Sequence, residues 1–227
     1  MVLNLGRMEA GDNMKYSAVI VAAGSSKRFK AGENKLLYTL DDGNKVIDHT
    51  LAVFKADPDC DQIVVVVNTE VGNYLFSKKN SGNVVYCYGG KSRAESVYHG
   101  LMAVTNENVF VHDGARCFLN LADLNVLKEE FEKSGAAILC RKVTDTIKTV
   151  DEDGYIVSTI DREALRGAQT PQAFKTDLLI DCYEKAFKAD ARVTDDASAI
   201  EQFSDVKIKC VESVTANIKI TTIDDVR

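Results

Sequence analysis

The chain has 227 residues, enough for one large α/β domain, and 45% hydrophobic side chains that can fill a sizeable core. A net charge of −6 weighs against a broad nucleic-acid surface but leaves a small anionic substrate open, because local cations can outweigh the overall sign. The longest apolar runs, such as 63–67, are far too short to span a bilayer; the six scattered cysteines form no C-x-x-C pair and the three histidines no cluster.

Residues 1–13 lack the apolar core of a signal peptide and are expected to form a disordered leader ahead of a single domain over 14–227. The cysteines read as buried free thiols of a cytoplasmic protein, with Cys87, Cys117, Cys140 and Cys210 in or near strand-like runs.

In chain order, an apolar strand over 17–22 runs into a turn of small residues, Ala22 to Ser26, followed by Arg28 and Lys35. Small residues let a ligand approach backbone N–H groups, and two cations can neutralise a polyphosphate. The same turn also suits any α/β domain. It is neither a P-loop nor a G-x-G-x-x-G fingerprint, since only Gly24 is present.

A helix near 46–56, with Leu51, Val53 and Phe54 apolar, precedes a β-branched strand over 62–67 that reads as central. A helix near 70–79, a strand over 83–87 and the Gly89-Gly90 turn lead to a helix over 92–104, with Val97, Leu101 and Met102 on one side. A strand over 108–112 ends in His112-Asp113, and a helix over 121–133 leads to a strand over 136–141. This alternation predicts a Rossmann-like, mostly parallel sheet with helices on both faces.

Residues 143–160 break the rhythm, alternating with period two on both sides of Asp153-Gly154, which predicts a projecting β-hairpin arm. An exposed apolar arm invites pairing with a second subunit; an edge hairpin folded on its own domain gives the same pattern. Helices over 176–188 and near 195–203, a strand over 206–211 and a final strand near 217–221 complete the chain.

In open parallel sheets, ligands gather beyond the carboxyl ends of the strands. The Ala22–Lys35 loop, the Gly89–Ser96 loop, and Asp113 with Arg116 all fall there. Asp113 closes an apolar strand, where a carboxylate needs a partner or a metal, and Mg2+ is the natural metal beside phosphates.

Several ordered stretches then resemble one family: Val21-Ala-Ala-Gly-Ser-Ser-Lys-Arg-Phe with Lys35, Gly89-Gly-Lys-Ser-Arg-Ala-Glu-Ser-Val, His112-Asp-Gly-Ala-Arg, Val143-Thr-Asp-Thr-Ile-Lys, Gln169-Thr-Pro-Gln-Ala-Phe, Thr194-Asp-Asp-Ala-Ser-Ala and Asn217-Ile-Lys-Ile. Together they resemble the 2-C-methyl-D-erythritol 4-phosphate cytidylyltransferases of non-mevalonate isoprenoid synthesis. The resemblance implies transfer of CMP from CTP to methylerythritol phosphate, with pyrophosphate leaving. It implies catalytic roles for Arg28, Lys35 and Lys219, a nucleotide pocket of Ala22, Ala23, Gly24, Gly90, Arg93, Ser96 and Asp113, and Mg2+ on Asp113. Thr146, Arg162 and Thr194 would hold the polyol phosphate, the first two reaching a partner's site through an arm exchanged in a homodimer.

Without the resemblance, Lys219 also suits the polar side of a strand between Ile218 and Ile220. Ser25-Ser26, Asn34, Lys91, Cys117 and Val214-Thr-Ala depart from the family's usual residues, and the last of these leaves Asp113 as the single expected metal ligand. Ribitol-5-phosphate cytidylyltransferase is the nearest alternative, and a non-catalytic nucleotide-binding module the alternative of another class.

Overall fold

A computed structural model describes residues 14–29, 32–78 and 82–226, so the expected leader over 1–13 lies outside the described residues. The elements run β1 (Tyr16–Ala22), α1 (Val46–Ala56), β2 (Cys60–Val67), α2 (Thr69–Phe76), β3 (Val84–Tyr88), α3 (Arg93–Leu101), β4 (Asn108–Asp113), α4 (Leu121–Ser134) and β5 (Ala136–Lys142). There follow β6 (Lys148–Val150), β7 (Ile156–Thr159), β8 (Arg166–Lys175), α5 (Thr176–Lys188), α6 (Asp196–Phe203) and β9 (Lys209–Glu212).

Seven strands form one sheet in the order β3-β2-β1-β4-β8-β5-β9. β1 pairs in parallel with β2 (Val19↔Val64) on one side and with β4 (Val19↔Val111) on the other, so the strand order reverses at β1 when the chain crosses from β3 back to β4. That reversal opens a crevice beyond the carboxyl ends of β1 and β4. β8 runs antiparallel to both β4 and β5, setting Gln172 against Val111 and bringing Thr170 beside the end of β4.

The sheet is covered on both faces because β-branched strand residues alternate sides. Ala18 and Ile20 join Leu51, Phe54, Leu124 and Phe131 in one core, while Val19 joins Val97, Leu101, Leu179, Tyr183 and Ile200 in the other. α3 lies very close to the sheet: a Cβ on Gly100 would stand 2.6 Å from Val19 Cγ1 and 2.8 Å from Val66 Cγ2. Helix starts follow the sequence closely, with Asn68, Ser92, Asn120 and Asp195 side chains each accepting a backbone N–H of the first turn.

The predicted hairpin is present as β6 and β7, a two-stranded unit separate from the main sheet. Tyr155, Ile156 and Val157 on it are exposed. Four expectations need correction. The ten-residue β8 falls in a stretch that the hydrophobic pattern did not mark as a strand, since its interior Gln169-Thr170-Pro171-Gln172 is polar. No strand forms over 217–221: Asn217 takes φ 38°, and the backbone there is held by side chains instead. Met102 lies past the end of α3 and is exposed rather than core-facing. All six cysteines are free, but Cys210 is exposed and Cys87 half-buried, because β9 and β3 are the edge strands. Among the described residues no helix is long and apolar enough to cross a membrane.

Candidate active site

At the crevice lies a cavity of about 570 Å3 lined by the loop after β1, the turn after β3, the end of β4 and the segment after β9. Among the described residues, Lys27, Arg28, Lys35, Lys91, Arg93 and Lys219 line it, against the single carboxylate of Asp113. Six cations around one acid describe a site for a strongly anionic ligand.

The loop after β1 is shaped by Asn34, which is buried. Its Nδ2 donates to Gly24 O (3.3 Å), while its Oδ1 accepts from Ser26 Oγ (2.8 Å) and Leu36 N (3.1 Å). Ser26 takes φ 52°, a left-handed conformation where glycine is the ordinary choice, and its Oγ accepts Lys35 N (3.2 Å). The two departures at Ser26 and Asn34 thus act together as a clamp on the loop. Phe29, almost fully buried, anchors the next turn and leaves Arg28 exposed at the cavity.

The second wall is set by close approach. A Cβ on Gly89 would stand 2.4 Å from Ala23 Cβ, and one on Gly90 2.4 Å from Glu95 Cβ, so both glycines are dictated by packing. Gly90 N donates to Ser96 Oγ (3.0 Å), which itself donates to Ser92 O (2.8 Å).

Asp113 sits at the centre. Its Oδ1 accepts Arg93 Nε (3.3 Å), its Oδ2 accepts Lys219 Nζ (2.7 Å), and Arg116 Nε lies 3.9 Å away. Burial by itself would raise the Asp113 carboxyl, but Arg93, Lys219 and Arg116 outweigh it and hold it well below the usual carboxylate range. Lys35 donates to Ile220 O (2.7 Å). Burial, together with Lys219 and Arg28, lowers its pKa to about 8 despite the pull of Asp113. A lysine whose ammonium is weakened by burial and by neighbouring cations is one that an added anion would keep charged.

Behind Asp113 stands a polar relay. Asp113 N donates to Thr170 Oγ1 (3.0 Å), and Thr170 Oγ1 lies 3.0 Å from His112 Nδ1, with His112 Nε2 3.2 Å from Arg116 O. The carbonyl can only accept, so Nε2 carries the proton and Nδ1 accepts from the threonine. Burial pushes the His112 pKa down to about 4, so the ring is neutral.

Lys219 rides on a segment with little sheet pairing of its own. Val214 N and Thr215 N donate to Asp123 Oδ1 (2.7 and 3.1 Å), Gln169 Nε2 to Ala216 O (3.0 Å) and Arg116 NH1 to Asn217 O (2.8 Å). Ile220 N donates to Ala115 O (2.9 Å).

Of the expected site residues, Arg28, Lys35, Lys219, Ala23, Gly24, Gly90, Arg93, Ser96 and Asp113 all line the one cavity. Ala22 does not: it is buried within β1, paired with Val67. Thr146, Arg162 and Thr194 are exposed and outside the cavity lining, the first two at the root of the arm. Asn34, His112, Asp123, Thr170 and Asp196 were not singled out for roles from sequence, although four of them stand in or beside the quoted stretches. The missing signal was burial, which only the fold reveals.

The sequence profile of the 2-C-methyl-D-erythritol 4-phosphate cytidylyltransferases matches residues 16–227. A cytidylyltransferase of that name from Geobacillus thermodenitrificans (strain NG80-2) is 43% identical over 217 residues, covering 93% of this chain and 94% of the relative. The crystal structure of 4-diphosphocytidyl-2C-methyl-D-erythritol synthase from Anaerococcus prevotii DSM 20548 superimposes with a TM-score of 0.82 at 34% identity, over 95% of this chain and 96% of that one. The Francisella tularensis 2-C-methyl-D-erythritol 4-phosphate cytidylyltransferase does so with a TM-score of 0.79 at 32% identity, over 93% and 96%. With its cationic crevice and its match over residues 16–227, the chain belongs to the 2-C-methyl-D-erythritol 4-phosphate cytidylyltransferase family.

Proposed function

We propose that the protein transfers CMP from CTP to 2-C-methyl-D-erythritol 4-phosphate, releasing pyrophosphate and giving 4-diphosphocytidyl-2-C-methyl-D-erythritol for non-mevalonate isoprenoid synthesis. The observation that supports this best is the convergence of Arg28, Lys35 and Lys219 on one cavity in a chain of this family. A phosphate monoester oxygen attacks the α-phosphorus in line and the β-phosphate oxygen leaves. The attacking group is already an anion, so the site needs no general base. It needs positioning and compensation of the charge that builds on the α-phosphoryl oxygens and the leaving group.

Arg28 and Lys35 meet the β- and γ-phosphates and the leaving charge, and Lys219 meets the α-phosphate from across the cavity. Gly24, Gly90 and Ser96 enclose the nucleoside. Thr194, and Thr146 and Arg162 from a partner's arm, hold the polyol phosphate. The apolar exposure of Tyr155, Ile156 and Val157 supports a homodimer joined through that arm. The expected compartment is the cytoplasm.

Mg2+ suits this site as a metal bound mainly through substrate. Among the described residues no three His, Cys, Asp or Glu side chains converge, and Asp113 is the one acid lining the cavity. Such a site would hold Mg2+ through Asp113, phosphate oxygens and water, and the ion would then neutralise the triphosphate.

Pyrophosphate release from CTP is the test, run in parallel with 2-C-methyl-D-erythritol 4-phosphate and ribitol 5-phosphate. Turnover with the methylerythritol compound is expected, and turnover with ribitol 5-phosphate alone overturns the acceptor. Calorimetric CTP binding without pyrophosphate from either acceptor would make the protein a nucleotide-binding module instead.

A further inference from the structure

Asp196, the first residue of α6, has no part in the roles above, yet its side chain is 0% exposed. A carboxylate this deep demands charged or hydrogen-bonding partners. It has three contacts: Arg93 NH2 at 2.8 Å, Arg93 NH1 at 3.3 Å and Tyr183 Oη at 2.5 Å. Arg93 spends its remaining nitrogen on Asp113, with Nε 3.3 Å from Oδ1. One guanidinium therefore bridges a buried carboxylate with no assigned role and the carboxylate at the centre of the site.

The rigidity of the guanidinium makes this more than an ion pair. A guanidinium is a planar fork, so fixing two of its nitrogens fixes the plane and the direction of the third. Asp196 is itself braced, because Gln172 on β8 ties down the turn that carries it. Gln172 Nε2 donates to Asp195 Oδ2 (2.8 Å) and its Oε1 accepts Ala197 N (2.8 Å). The central sheet thus sets α6, α6 sets Asp196, and Asp196 sets the plane of Arg93.

We infer that Asp196 is a positioning residue for nucleotidyl transfer: it holds Arg93 in the one orientation that presents Nε to Asp113 and keeps the guanidinium off the substrate phosphates. In the free protein Asp113 is then held between Arg93 on Oδ1 and Lys219 on Oδ2, and the Arg93 contact keeps its place when Lys219 turns to the α-phosphate. Phosphate compensation is left to Arg28, Lys35 and Lys219. Freed from Asp196, Arg93 is a flexible cation in a cavity that receives a triphosphate, and it would pair with the ground-state nucleotide. Such a contact strengthens binding without lowering the barrier.

The inference rests on the transfer reaction proposed above, and its test has one readout that does not. Asp196→Asn keeps the shape and weakens the fork. Its kcat for pyrophosphate release is expected to fall at least about tenfold, with KM for CTP unchanged or lower. Tyr183→Phe removes the other contact to the same carboxylate and leaves the Arg93 fork; it is expected to lower Tm but keep kcat within about twofold. Arg93→Lys keeps a cation beside Asp113 without the bridge and is expected to lose as much kcat as Asp196→Asn, the double variant losing no more. A kcat within twofold of wild type for Asp196→Asn overturns the inference, as does an equal loss of kcat in Tyr183→Phe. Should Asp196→Asn fail to fold, an unchanged kcat in Arg93→Lys overturns it alone. Independently of turnover, the 15N signal of Arg93 Nε–H is expected to be sharp and exchange-protected in wild type and Tyr183→Phe, and broadened in Asp196→Asn. A signal unaltered in Asp196→Asn overturns the inference even if no acceptor is found. The absence of pyrophosphate from the wild-type protein speaks only against the reaction.

Discussion

Lys35 gives the most direct test of how the cavity handles charge. Burial, Lys219 and Arg28 lower its pKa to about 8 in the free protein, so its ammonium begins to lose its proton just above neutrality. A bound triphosphate restores that proton, because several negative charges at contact distance outweigh the two cations. Nucleotide binding must therefore take up protons as the pH passes 8. The charged fraction of a group with that pKa falls from about nine-tenths at pH 7 to about one-tenth at pH 9. The affinity for CTP is accordingly expected to weaken about tenfold over those two units, or about 1.4 kcal/mol. Calorimetry in buffers of different ionisation enthalpy reads the proton uptake directly, expected near half a proton per CTP at pH 8. Lys35→Met should abolish both the uptake and the pH slope, and lower kcat by at least about tenfold through loss of a contact to the leaving charge. A flat affinity from pH 7 to 9 in the wild type, or an undiminished slope in Lys35→Met, would refute the reasoning.

Three further outcomes are expected. His112 is buried neutral with its pKa pushed down to about 4 from 6.5, so the unfolded chain takes the proton first as the pH falls. About 3 kcal/mol of stability is then lost between pH 6.5 and 4, and urea unfolding should show a shallower acid decline in His112→Gln; an identical decline would remove His112 as its source. Gly100→Ala drives a methyl to 2.6 Å from Val19 Cγ1, and a loss of about 1–3 kcal/mol by chemical denaturation is expected, whereas no loss would show that α3 can ride up off the sheet. Ile156→Lys on the arm is expected to shift a light-scattering mass from dimer to monomer, and a wild-type monomer at working concentration would rule out the exchanged arm.

What could be read from the sequence divides along a physical line. Strands buried on both faces announce themselves as β-branched runs, and β1, β2 and β4 were placed within about two residues. The same holds for the glycine turn and the cations that follow β1, whose spacing is local. β8 was hidden because its interior residues do polar work. Gln169 braces the segment that bears Lys219, Thr170 receives the amide of Asp113, and Gln172 pins α6. A strand whose inward positions are spent on long-range hydrogen bonds has no hydrophobic period to detect. The segment over 217–221 misled in the converse way. Its Ile-Lys-Ile alternation imitates a strand, while Asn217 turns left-handed and Asp123, Gln169 and Arg116 take up backbone groups of the segment. Ser26 and Asn34 read from sequence only as departures from the family's usual residues, since nothing local shows that they meet. Their mutual hydrogen bond makes them one device.

The same view explains how a cavity with so many cations around Asp113 can fold before any phosphate arrives. Like charges in a partly buried cleft repel, and each needs a local counterweight. Lys219 leans on Asp113, Arg93 is divided between Asp113 and Asp196, Lys35 donates to the carbonyl of Ile220, and Arg28 stays in solvent. These counterweights are graded. Arg93 is locked in a fork, Lys219 holds one carboxylate oxygen, and Lys35 donates to a neutral carbonyl. Burial and the nearby cations Lys219 and Arg28 lower the Lys35 pKa to about 8. A triphosphate entering the cleft displaces the weakest of these contacts first, so Lys35 changes partner at least cost while Arg93 stays in place. Repulsion left standing in the free protein is relieved by the ligand that the cleft is built to hold, and the cations are already aimed when the charge on the leaving pyrophosphate develops.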